Sequence, residues 1–357
     1  MARRGRPDIT ELEDIPDYIQ FHDTHQDSVK LYQLPPIETR IEFINSCNGL
    51  VCLSDRSNAI YICNPATKRF KLLPTPNKDF SKRCFFLEDG TRVGEFVYLG
   101  LGFDPISNDY KLLRIVFNYI SESADGELPE AEMYSANTDS WKEIQISEKS
   151  LKDYWTKSKF HAIAGVLYME GRSEILAFDL HSEVFRVYPF PSLFPKSNVL
   201  DYDGYATMVF ESTDGSVSLY KLDDVCAKVS WTKMFNLEAD FEIIWVSNYL
   251  GNGQFVVINP HSFCIYDYKK REYKTTPLLF RAERRGWPVN YTESLVSLNG
   301  FEEQESIVSG VHFDTDLAEE IIQNRSTGEK EKYHEVITRY SITKKKIMKP
   351  LRGTGSS

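Results

Sequence analysis

Residues 47–76 read CNGLVCLSDRSNAIYICNPATKRFKLLPTP: a short apolar run, a polar turn, a second apolar run, an Asn-Pro turn, an aromatic and then prolines. Residues 163–191, IAGVLYMEGRSEILAFDLHSEVFRVYPFP, follow the same order. With Asn64 set against Asp179, Phe70 and Phe185 both fall six residues later, and Pro74 and Pro189 ten later. A third copy, residues 251–277, places Tyr273 six and Pro277 ten beyond Asp267. Short apolar runs bounded by Asn, Asp, Gly and Pro are strands joined by turns. Asn or Asp opens such a turn because its side chain bonds the nearby backbone.

The register extends outward from these copies. Ser135, Asp179, Asp223 and Asp267 are each 44 residues apart, and Trp141 lies six beyond Ser135. Asp104 and Tyr110 repeat the same interval, whereas Trp231 comes eight after Asp223, as if the intervening turn held two extra residues. A four-stranded sheet cannot bury both faces alone, but sheets packed face to face around an axis share a continuous core. Repeats of roughly 40–50 residues with four strands each are the mark of β-propeller blades. The sequence therefore predicts an all-β propeller of six or seven four-stranded blades over residues 28–349, with the Asn or Asp between the two outer strands and the aromatic packed against the neighbouring blade. A flexible lead-in occupies residues 1–27 and a disordered tail residues 350–357. Asp203-Gly204 and Asn299-Gly300 add hairpin signals, and the alternation from Tyr333 to Met348 would close the ring.

A net charge of −10 argues against general nucleic-acid binding, which rests on neutralising phosphates. No apolar run approaches the roughly 20 residues that span a bilayer, and the N-terminus has no apolar signal-peptide core, so a cytoplasmic or nuclear location is expected. The six cysteines form no CxxC pair and mostly sit in apolar runs, as buried free thiols do.

No motif supplies catalysis or a cofactor. His22 and His25 with Asp23 and Asp27 have nondescript spacing for a metal, and the acidic pairs Asp201/Asp203, Asp223/Asp224 and Asp314/Asp316 sit at expected turns rather than across a cleft. Gly100, Gly102, Gly251 and Gly253 do not complete a phosphate-binding loop and read as bends in close-packed strands. Binding is expected in the loops. Two combine cations with aromatics, the residue types that dominate interface energies: Lys82, Arg83, Phe85 and Phe86 in one, and Arg281, Arg284, Arg285 and Trp287 in the other.

SCNGLVCL, ICNPATKRFKLLP, LGFDPISNDYKLLRI, AEMYSANTDSWKEI and ESLVSL, in that order over about residues 40–300, resemble the F-box-associated domain of plant F-box proteins. The resemblance implies a kelch-like propeller that recruits a target protein for ubiquitination by a Skp–cullin–F-box ligase. It also implies an F-box docked on a Skp adaptor, but residues 1–40 do not carry that pattern. Target binding is thus better supported than ligase membership. Two alternatives stay open: a kelch- or sialidase-type propeller enzyme or small-ligand binder, and an F-box-less propeller that binds a partner without ubiquitination.

Overall fold

The computed structural model describes residues 18–23, 28–33, 41–55, 59–77, 85–86, 92–120, 129–146, 159–171, 173–190, 196–211, 216–225, 228–259, 263–275 and 291–303. Their regular structure is all β. A first hairpin joins β1 (Tyr18–Asp23), within the expected lead-in, to β2 (Ser28–Gln33). Five antiparallel sheets follow, each a meander in chain order. Blade 1 holds β3 (Ile41–Cys47), β4 (Leu50–Asp55), β5 (Ile60–Asn64) and β6 (Arg69–Leu72). Blade 2 holds β7 (Phe85–Phe86), β8 (Arg92–Asp104), β9 (Asp109–Ile120), β10 (Glu130–Ser135) and β11 (Ser140–Ile144). Blade 3 holds β12 (Phe160–Ile163), β13 (Val166–Glu170), β14 (Glu174–Asp179) and β15 (Val184–Pro189). Blade 4 holds β16 (Lys196–Tyr202), β17 (Tyr205–Glu211), β18 (Val217–Val225) and β19 (Lys228–Leu237). Blade 5 holds β20 (Trp245–Gly251), β21 (Gln254–Ile258), β22 (Phe263–Asp267) and β23 (Glu272–Thr275). Finally β24 (Glu302–Glu303) adds to the outer edge of blade 1 against β6.

The propeller thus has five blades among the described residues, not six or seven. The physical reason lies at Asp104. It opens the inner β8–β9 hairpin, not an outer one, while Ser135 opens the outer β10–β11 hairpin of the same sheet. Two repeat anchors therefore belong to one blade, whose inner strands are 13 and 12 residues long. Asp223 also differs from expectation, since it lies within β18 opposite Ser230 and the hairpin closes later, at Val225 and Lys228. The late Trp231 reflects longer strands rather than a longer turn. The expected closing stretch from Tyr333 to Met348 lies outside the described residues.

Elsewhere the repeat positions do what local chemistry requires. Asn64 Oδ1 accepts from the amides of Ala66 and Thr67 at 3.0 and 3.3 Å, Asp179 Oδ1 from His181 and Ser182 at 2.9 and 2.8 Å, and Asp267 Oδ1 from Lys269 and Lys270 at 3.1 Å each. Four residues after each anchor the chain is left-handed: Lys68, Asn108, Asp139, Glu183 and Arg271 have φ between 51° and 60°. That residue turns the strand back, and the aromatic two further on re-enters the sheet. The indole of Trp141 donates to Pro74 O of the preceding blade at 2.7 Å, as Trp231 does to Pro189 O. The aromatic and the proline exit are thus two halves of one contact between blades.

β3, β8, β12, β16 and β20 are the innermost strands, and successive ones touch. Four apolar cores separate the five blades, with Leu101 and Tyr134 between blades 1 and 2, Phe160 and Phe178 between 2 and 3, Met208 and Phe210 between 3 and 4, and Phe255 and Tyr266 between 4 and 5. Each such buried ring contributes on the order of 2–3 kcal/mol by removal from water. Packing is tight at the inner strands: a Cβ on Gly100 would lie 2.7 Å from the Phe160 ring, and one on Gly102 2.5 Å from Leu180 Cδ1. Gly251 and Gly253 instead form the β20–β21 turn, at φ 90° and 89°. Cys52, Cys63 and Cys264 are buried free thiols.

Candidate protein-interaction surface

Because each blade is a meander, its first and third connections lie at one end and its second connection, with the link to the next blade, at the other. The first end is built from tight turns. Its best-tied element is the turn after Asp104, whose fully buried carboxylate accepts from the Ile106 and Ser107 amides, from Ser107 Oγ at 2.6 Å and from Lys111 Nζ at 2.9 Å. His181 Nδ1, from blade 3, lies 3.2 Å from the same carboxylate, and Lys111 also donates to Leu180 O. Burial pushes the Asp104 carboxyl upward, but these bonds outweigh it and hold it well below the usual carboxylate range.

Exposed large apolar side chains at this end are scattered around the ring: Leu295 beside blade 1, Ile106 in blade 2, Val184 in blade 3, Tyr205 and Val229 in blade 4, and Tyr273 in blade 5. Tyr205 is covered by Lys221 Nζ at 3.8 Å, and Tyr273 leans on Phe241. Singly scattered apolar residues of this kind are ordinary surface.

The opposite, loop end receives the connections that differ most in length. Here blades 3, 4 and 5 bring titratable groups and a cleft together. The β12–β13 register sets His161 opposite Tyr168, so Lys159, His161, Tyr168 and Glu170 share the face of blade 3 that packs on blade 4. Ser197 Oγ, from blade 4, donates to Glu170 Oε1. Burial raises the Glu170 carboxyl to about 7 despite that bond, lowers the Lys159 amine to about 8 and, helped by the Lys159 charge, lowers the His161 imidazole to about 3.

On the other side of β16 a small, partly open cleft, with room for about one water molecule, lies between blades 4 and 5. Its walls are Val209, Val217, Ile243 and Val246, with Ser197, Asn198, Glu211, Ile244 and Trp245 completing the lining. Asn198 Nδ2 donates to Val246 O at 2.7 Å and ties the two inner strands together. Residues 238–244 run as a strap from the outer to the inner strands of blade 5: Tyr266 OH donates to Glu238 O at the outer side and Ile244 N to Ile258 O at the inner. Along the strap Phe241 and Ile243 turn inward while Glu238, Asp240 and Glu242 are exposed.

Of the residues expected in binding loops, Phe85 and Phe86 form the short strand β7 against Arg92 and Val93, at the loop end of blade 2. Lys82, Arg83, Arg281, Arg284, Arg285 and Trp287 lie outside the described residues. The cleft was not among the expectations, although the alternation of acidic and apolar residues in 238–243, EADFEI, is its trace in the sequence. Among the described residues no three His, Cys, Asp or Glu side chains converge as a metal site requires.

The model of the F-box associated beta propeller domain matches residues 17–277. The chain belongs to the F-box-associated β-propeller family. F-box protein CPR1 of Arabidopsis thaliana is 27% identical over 227 residues, covering 55% of this chain and 52% of that protein. F-box protein At5g18160, also of Arabidopsis thaliana, is 29% identical over 192 residues, covering 52% and 44%. This F-box-associated chain therefore spans about half the length of the curated relatives it matches. Among solved structures, YCF48 bound to D1 peptide aligns with 74% of this chain and 72% of its own at a TM-score of 0.40 and 11% identity.

Proposed function

We propose that this chain is the target-recruiting domain of a Skp–cullin–F-box-type ubiquitin ligase receptor, acting in the cytoplasm or nucleus and performing no chemistry of its own. The family match over residues 17–277, with F-box proteins as relatives, carries the reading. The domain would act by proximity, raising the effective concentration of a bound protein beside the conjugating machinery. A Skp adaptor enters only through an F-box in the full-length protein. We assign target binding to the loop end, because a propeller scaffold is generic and its long connections carry the differences.

The test is affinity capture from plant extract with the whole chain, followed by ubiquitination of the captured protein when the chain is joined to an F-box. A reproducibly captured protein that becomes ubiquitinated supports the proposal. Specific capture without ubiquitination points to the partner-binding alternative, and absence of specific capture overturns target recruitment altogether.

A further inference from the structure

The outer edges of the blades are not alike. The edge of blade 1 is covered by β24, and β15 of blade 3 ends in Pro189, which cannot donate to a further strand. β6, β11, β15 and β19 each bury at least one residue, whereas Glu272, Tyr273, Lys274 and Thr275 of β23 are all exposed. β23 pairs with β22 without a bulge and ends its sheet among the described residues, so one row of its backbone donors and acceptors is turned outward. Charges on such an edge ordinarily repel a second strand, but Glu272 and Lys274 are of opposite sign and two apart, on one face of β23. Tyr273 lies on the other face, 55% exposed and leaning on Phe241 at 4.7 Å between ring centroids.

We propose that β23 pairs antiparallel with β23 of a second copy of this chain, centred on Tyr273, and joins two four-stranded blades into one continuous sheet. A two-fold contact must match a surface to itself, and this register does so: Glu272 stands opposite Lys274 of the second copy, and Lys274 opposite its Glu272. Centring the pair on Glu272 or on Lys274 instead sets like charges face to face, which is destabilising, so charge selects the register. On the opposite face the two Tyr273 rings stand directly across from each other, a cross-strand aromatic pair that adds to sheet stability. The dimer forms whether or not the chain recruits a target; where it does, two copies hold a target with two recognised segments by avidity.

Sedimentation of the whole chain over a range of concentrations, at low and high salt, reads the association. The expected result is a reversible monomer–dimer equilibrium that weakens as salt screens the paired charges. Glu272→Lys and Lys274→Glu alter exposed side chains and leave the core untouched. Each should weaken self-association roughly tenfold or more, since two attractive pairs become two repulsive ones. An equal mixture of the two variants restores lysine opposite glutamate at both contacts, so it should dimerise as tightly as the wild type.

A wild-type chain that stays monomeric at every concentration, a dimer that survives both single reversals, or a mixture that fails to reassociate overturns the inference. The mixture also separates a broken contact from a broken fold, because a variant that had unfolded would not regain a partner.

Discussion

At the scale of single residues, buried charge is concentrated where blades meet. Asp104 answers at least four donors from its own hairpin, and Lys111 pairs with it at 8% side-chain exposure. Asp104→Ala leaves Lys111 as an uncompensated buried cation and is expected to cost about 3–5 kcal/mol in urea denaturation at pH 7. Since the folded carboxyl is held below its usual value, its contribution is present above pH 3.8 and fades as pH falls, so variant and wild type should converge in acid. Glu170 and His161 give the opposite pairing of signs. Folded Glu170 keeps its proton between 4.5 and about 7, so it lowers stability as pH rises through that window. Folded His161 resists protonation between 6.5 and about 3, so it raises stability over that window. The two slopes oppose each other from pH 4.5 to 6.5, with Lys159 and Tyr168 beside them and Ser197 facing them from blade 4. Glu170→Gln, which retains an acceptor for Ser197, should uncover a monotonic gain with pH, and His161→Gln a loss, each amounting to at most about 3 kcal/mol across pH 4.5–6.5. Parallel pH profiles for the two variants would show that neither group is held as described.

At the scale of the element, the outer hairpin is the unit that repeats, and its chemistry is local enough to be read from sequence. An Asx anchor, a left-handed residue at the fourth position and an aromatic at the sixth are all set by backbone geometry within one turn. Lys68, exposed at φ 56°, tests that geometry. Lys68→Gly should hold or raise the melting temperature, because glycine enters the left-handed region without strain, whereas Lys68→Val should cost about 1–2 kcal/mol. If valine is tolerated as well as glycine, the turn does not depend on this residue. Non-local features were not legible in the same way. The Asp104 turn looks like any other anchor in sequence, and only its pairing of β8 with β9 reveals an inner hairpin and hence one blade fewer. The cleft is likewise assembled from Ser197, Asn198, Val209, Glu211, Val217 and residues 243–246, each unremarkable in its own stretch, and their meeting depends on blade packing. Loops with cations and aromatics announce themselves by composition; a slot between two sheets does not.

At the scale of the molecule, the chain must be tied back to blade 1 after blade 5, and one exception to the repeat shows how. Blades 3 and 5 carry Asp at the outer anchor, where only acceptance is needed, but blade 1 carries Asn64. Asn64 is fully buried, and besides accepting within its own turn it donates Nδ2 to Ser294 O at 2.9 Å and to Val296 O at 2.8 Å. Only an amide can do both. The returning segment 291–303 is further held by Lys71 Nζ on Asn299 O at 2.9 Å, by Ser294 Oγ on Asn48 O and by the pairing of β24 with β6, while Val296, Leu298 and Phe301 pack on the core between blades 1 and 2. Asn64→Asp keeps the turn acceptors, removes both long-range donors and sets a carboxylate against two partly buried carbonyl oxygens, so it should cost about 2–4 kcal/mol. Asp179→Asn, the reverse change at a position that only accepts, should cost less than about 0.5 kcal/mol. Hydrogen exchange locates the effect: in Asn64→Asp the amides of residues 294–301 and the β6 edge should lose protection, while those of blades 3 and 4 keep theirs. Uniform loss across all blades would mean that the return segment is part of one cooperative unit with the ring, and unchanged exchange at 294–301 would mean that Asn64 does not hold it.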